Sequence, residues 1–189
     1  MNADETEQRV EGSGPTRGRF LVIGYGNPLL GDDGVGPLVV EALEALTLPG
    51  LETRVLHQLT PELALEMASL DTVVFVDAVS TGGGRARGAG VVEVSRADGV
   101  TSGMGWSGHR CSPQTLLQLA RAITGASTRG WIVGIPGYRF DWGFGMSLPA
   151  REGVANAIGV VRSLWEAWNV RSCPRTVDWV GARRSGGMR

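Results

Sequence analysis

Residues 20–46 read FLVIGYGNPLLGDDGVGPLVVEALEAL, and this stretch decides the fold. Phe20-Leu21-Val22-Ile23 is a continuous apolar run, the pattern of a strand covered on both faces. A glycine-punctuated loop follows, Gly24-Tyr25-Gly26-Asn27-Pro28, and then two adjacent carboxylates, Asp32-Asp33. Apolar residues next recur at Val35, Leu38, Val39, Leu43 and Leu46, which is helical spacing. Strand, tight loop, paired acids and helix place the chemistry at the carboxyl end of the first strand.

Outward from there the same alternation repeats. Leu51 to Leu56 reads as a second strand, ending in His57-Gln58-Leu59-Thr60-Pro61-Glu62, where Thr60 and Pro61 open a short helix to about Ser69. Thr72-Val73-Val74-Phe75-Val76 is a third strand, apolar until the carboxylate of Asp77. A short strand is expected near Gly90 to Val94. Ser112 and Pro113 cap and open a helix whose apolar face is Leu116, Leu119, Ala120 and Ile123. Trp131 to Ile135 is the last strand, and the closing helix presents Val154, Ala157, Ile158, Val161, Leu164, Trp165 and Trp168 on one face. Strands alternating with helices predict an α/β domain, a largely parallel sheet with helices on both faces. Residues 1–18 are expected as a disordered leader, 19–170 as one domain, and 171–189 as an arginine-rich tail.

Composition narrows the function. The 189 residues carry a net charge of −1, which predicts neither nucleic acid nor an anionic membrane as partner. No run approaches the length of a membrane span, the N-terminus lacks the apolar centre of a signal peptide, and two cysteines make no disulfide framework. A cytoplasmic protein is the expectation. A dinucleotide site fails at Leu29, where the third glycine of GxGxxG belongs, and at His57, where an acid should end the second strand. A P-loop fails because the chain has no lysine.

The stronger signal is a set of metal-ligand types at the carboxyl ends of elements. Asp33 follows the first strand, Asp77 ends the third, and His109 precedes a helix. In a parallel sheet those ends open on one edge, so the three groups can converge across one crevice. Two carboxylates and an imidazole suit a borderline divalent ion such as zinc or nickel, with a coordination position left open. Each also has a plainer role. An acid in a first helical turn is favoured by the macrodipole, which accounts for Asp32 more readily than for Asp33. His57 is the rival imidazole, or a loop residue bonded to backbone. Cys111 is two residues from His109, but closeness in sequence makes no nucleophilic pair. Asn27 either bonds an approaching backbone or holds its turn open.

Gly24-x-Gly26-Asn27-Pro28-Leu29-x-x-Asp32-Asp33-Gly34-x-Gly36 closely resembles the opening signature of the [NiFe]-hydrogenase maturation endopeptidases. The resemblance continues through Val76-Asp77-Ala78, through His109 with Ser112-Pro113, and from Gly134-Ile135-Pro136 to Gly145-Met146-Ser147. It covers about residues 19–168. It implies a three-layer α/β sandwich around a mostly parallel five-stranded sheet. It also implies a peptidase that removes the C-terminal peptide of a hydrogenase large-subunit precursor once nickel, carried by that substrate, is in place. Asp33, Asp77 and His109 then contact the metal and act in cleavage, while Gly26, Asn27 and Asp32 shape the crevice for an extended peptide. Pro136-Gly137 departs from the Pro-Glu of many relatives, and His57 to Glu62 from the acid-glycine turn of others. Two further readings of the same ligands are a non-catalytic nickel metallochaperone and a small-molecule metallohydrolase.

Overall fold

The computed structural model describes residues 18–80, 90–97, 111–143 and 145–172. The expected leader and tail fall almost wholly outside these residues, as does His109. Five strands form one sheet in the order β2-β1-β3-β5-β4: β1 (Phe20–Tyr25), β2 (Leu51–Leu56), β3 (Thr72–Ser80), β4 (Glu93–Arg96) and β5 (Arg129–Gly137). All neighbours pair parallel except β4, which runs antiparallel to β5 on the edge. This is the predicted mostly parallel five-stranded sheet flanked by helices.

β1 is buried from Phe20 to Gly24 because helices cover both faces. Alternate residues divide between two cores. Phe20, Val22, Val74 and Val76 pack with α1 (Val35–Ala45) and α4 (Leu148–Ser172). Leu21, Ile23, Val73 and Phe75 pack with α2 (Leu63–Met67) and α3 (Pro113–Thr124). On the first face, Trp168 is fully enclosed, its ring centroid 5.4 Å from that of Phe20. α3 begins as expected, with the Ser112 hydroxyl accepting from the Thr115 amide at 3.1 Å and proline in the first turn.

Some boundaries differ from expectation. The short strand is Glu93–Arg96, not Gly90 to Val94. Val91 stands 43% exposed ahead of it, so its apolar character marks no buried strand. Ile123 is 57% exposed, off the face that Leu116 and Ala120 bury. α2 spans only Leu63–Met67, because Thr60 and Pro61 accept turn bonds ahead of it.

α1 comes unusually close to the carboxyl ends of β1 and β3. A Cβ on Gly36 would stand 2.6 Å from the carbonyl oxygens of Tyr25 and Val76 and 2.7 Å from the Tyr25 nitrogen. Helix propensity alone predicts that Gly36→Ala stabilises α1 by up to about 1 kcal/mol. We expect the reverse, a loss of roughly 1–3 kcal/mol from overpacking against backbone that has nowhere to move. Urea unfolding checks the sign, and a stabilised variant would mean that α1 can lift from the sheet.

Candidate active site

The sheet changes winding direction between β1 and β3. From β1 the chain passes through α1 to β2 on one side, while β3 lies on the other. That reversal opens a crevice at the carboxyl edge, the customary place for a site in an open α/β sheet. The loop after β1 builds one wall. Gly26 has φ +133°, and a Cβ there would lie 2.0 Å from the Asp33 carbonyl oxygen, so only glycine lets the loop close so tightly. A short 3-10 turn, Gly31–Gly34, then carries both acids.

The neighbouring carboxylates are used differently. Asp32 is fully buried. Its oxygens accept from the Tyr138 amide at 2.7 Å, the Arg139 amide at 3.0 Å, the Ser147 amide at 2.7 Å and the Ser147 hydroxyl at 2.8 Å. Its own amide donates to the Arg139 carbonyl at 2.7 Å. Ser147 in turn caps α4, its hydroxyl oxygen accepting from the Ala150 amide at 3.3 Å. Burial alone would raise the Asp32 carboxyl, but these donors outweigh it and hold the group below its ordinary range. Asp32 therefore clasps the loop between β5 and α4 against the loop after β1, with no face left for a ligand.

Asp33 is half-buried at the crevice, with Oδ2 accepting from the Asn27 amide at 2.6 Å. Asn27 spends its own side chain on the turn, Oδ1 accepting from Leu29 at 3.0 Å. Asp77 stands across from Asp33 at the end of the buried run of β3. Burial, foremost, and the charge of Asp33 push the Asp77 carboxyl up from 3.8 to about 6. The Tyr25 hydroxyl and the Ala78 amide, the latter 2.8 Å from Oδ1, pull the other way and lose. The Asp33 charge is the smaller of the two influences that raise Asp77, and burial is the larger.

The structure thus brings Asp33 and Asp77 together and holds Gly26, Asn27 and Asp32 in the surrounding frame. Among the described residues no group of three His, Cys, Asp or Glu is placed to hold a metal. His109, the expected third member, lies outside them. Cys111 follows two positions later, and its amide donates to the Leu59 carbonyl at 3.2 Å in the loop leaving β2. Burial pushes the Cys111 thiol up, which disfavours the nucleophilic thiolate. His57 is exposed in the turn after β2. Tyr25 is a residue that sequence reasoning passed over as the variable position of a glycine motif. Its parity with Leu21 and Ile23 was the available signal, since that parity puts it on the face Asp77 shares with Val73 and Phe75.

No protein-family model and no curated protein matches the chain. Solved structures do. The hydrogenase maturating endopeptidase HybD from E. coli superposes with a TM-score of 0.62 at 24% identity, over 79% of this chain and 93% of that one. The [NiFe] hydrogenase maturation protease HycI from Thermococcus kodakarensis KOD1 gives 0.60 at 22% identity, over 80% and 94%. The hydrogenase 2 maturation peptidase from Thaumarchaeota archaeon SCGC_AB-539-E09 gives 0.57 at 24% identity, over 78% and 97%. At these identities the likeness is one of architecture, and this chain has the fold of solved hydrogenase maturation proteases.

Proposed function

We propose that the chain is an endopeptidase of hydrogenase maturation. It removes the C-terminal peptide of a [NiFe]-hydrogenase large-subunit precursor after nickel insertion, and it does so in the cytoplasm. The observation that carries this reading is the pairing of Asp33 with Asp77, two carboxylates whose proximity a cation would relieve. The shared fold supports it.

Nickel belongs to the substrate in this reading. Two carboxylates are too few ligands to keep a divalent ion, which suits a metal that arrives already held by the precursor. His109 is the third contact in this reading, two residues ahead of the backbone bond that fixes Cys111 near the carboxyl edge. The metal then acts as a recognition element that admits only loaded precursor. Cleavage adds water across one peptide bond, giving a new carboxyl terminus and a free amine. Cleavage in this reading uses either a carbonyl polarised by the substrate's metal or a water activated by a carboxylate, which takes the water's proton and returns it to the leaving amine.

The test is mass analysis of nickel-loaded and nickel-free precursor after incubation with the protein. We expect only the loaded form to be shortened, and Asp33→Asn to abolish the shortening while remaining folded. Equal trimming of both forms would remove the recognition role. No trimming of either, with nickel bound tightly by the protein alone, would point to a metallochaperone instead.

A further inference from the structure

Leu29 stands 58% exposed on the loop after β1, and Trp142 stands 67% exposed on the loop after β5. The two loops are joined at this point, the Gly143 amide donating to the Leu29 carbonyl at 3.1 Å. Phe140, also exposed, lies back over Gly137 at the end of β5, where a Cβ would come within 2.4 Å of its ring. A lone apolar side chain on a surface needs no explanation, but three large ones on two linked loops make a patch. The patch is continuous with the crevice. Leu29 donates its amide to Asn27 Oδ1, and the Asn27 amide holds Asp33 Oδ2. It is also held stiffly. Asp32 takes the amides of Tyr138 and Arg139 ahead of Trp142 and that of Ser147 beyond it. The aromatic side chains are therefore presented without the ordering cost that a loose loop would bring to binding.

We propose that Leu29, Phe140 and Trp142 form a docking surface for the folded body of the precursor, whose C-terminal end enters the crevice beside Asp33. The identity of the occupant rests on the peptidase reading above. A chain end that is cut in the crevice leaves the rest of its protein outside, against the rim. The charges there fit a protein better than another macromolecule. Exposed Arg139 and Asp141 alternate with Phe140 and Trp142, so the rim carries both signs around an apolar centre, as protein interfaces do. A nucleic acid or an anionic membrane would need a basic face instead. A second copy of this chain seated here would shut the crevice against a substrate of protein size. Trp142 is the anchor, being large, aromatic and carried on a fixed loop.

The experiment titrates nickel-loaded precursor calorimetrically into full-length protein carrying Asp33→Asn, so that the precursor stays whole. Shortening is followed separately with the wild type. Adding Trp142→Ala should weaken binding about 10- to 100-fold and Leu29→Ala about 3- to 10-fold, whereas Trp142→Phe should retain most of it. Val170→Ala, at an exposed apolar residue near the far end of α4, should bind as the parent does. An equal loss in Val170→Ala would overturn the proposal. So would a wild-type dimer in sedimentation that Trp142→Ala dissociates, since the occupant would then be a second copy. If shortening proceeds and neither Trp142→Ala nor Leu29→Ala alters binding, the docking surface falls and the peptidase reading stands. If the wild type shortens no precursor but Trp142→Ala still weakens its binding, the peptidase reading fails and the docking surface stands. A precursor neither bound nor shortened overturns both.

Discussion

Asp32→Ala should destabilise the domain strongly, with an expected cost of about 2–4 kcal/mol. The change removes the acceptor of four donors at once, the part-buried amides of Tyr138 and Arg139 and the fully buried amide and hydroxyl of Ser147. It also unfastens the start of α4, because the hydroxyl that caps the helix is oriented by Asp32. Asp32→Asn keeps one acceptor oxygen but turns an NH₂ group toward N–H donors, so it should fall between alanine and wild type. The pH dependence has a definite sign. A carboxyl held below its ordinary range stabilises the fold above its unfolded value, and that contribution is lost as pH falls through the folded value. Urea midpoints at pH 7 and in acid measure this. An alanine variant within about 1 kcal/mol of wild type would show that the clasp is dispensable.

Asp77→Asn should do the opposite to stability while ending activity. The wild-type carboxyl titrates near 6 instead of 3.8, so the folded state disfavours its charge. A shift of that size corresponds to roughly 3 kcal/mol, an upper bound because Tyr25 and Ala78 also lose a charged acceptor. The sign follows from the raised value. Below 3.8 the group is protonated folded and unfolded alike and nothing is lost. Between 3.8 and about 6 the penalty grows, and above about 6 it is complete. Asparagine should therefore stabilise the protein at pH 7, and its advantage should vanish below pH 4. A variant no more stable than wild type at pH 7 would mean that Asp77 carries no electrostatic strain. Stability given up at a carboxylate is the usual mark of a group kept for chemistry.

These two predictions concern acids that the sequence presents in very different lights. Asp77 is legible because a carboxylate directly after Val73-Val74-Phe75-Val76 must stand at the rim of a buried strand, whatever surrounds it. The first strand, its loop and α1 are legible for the same reason, since continuous apolarity and helical spacing are local properties. So is the Ser112 cap. The distinction between Asp32 and Asp33 is not local. It is made by amides of Tyr138, Arg139 and Ser147, more than 100 positions away, which meet Asp32 only once β5 and α4 are in place. The link between Tyr25 and Asp77 needs the strand register, which pairing sets and composition does not. The bounds of β4 were not legible because Glu93-Val94-Ser95-Arg96 lies on an edge, where a strand needs only one partner and charge is an asset against stray pairing.

Trp168 closing over Phe20 carries a consequence for biosynthesis. The opening strand emerges first from the ribosome, yet its cover is supplied by the last turns of the final helix, together with Val154, Ala157 and Val161. Until translation has passed those turns, Phe20, Val22 and Leu43 have no lid and the nascent chain cannot complete this side of its interior. This side of the interior is thus completed only once the final helix has been made, so its closure waits on a contact between distant parts of the chain.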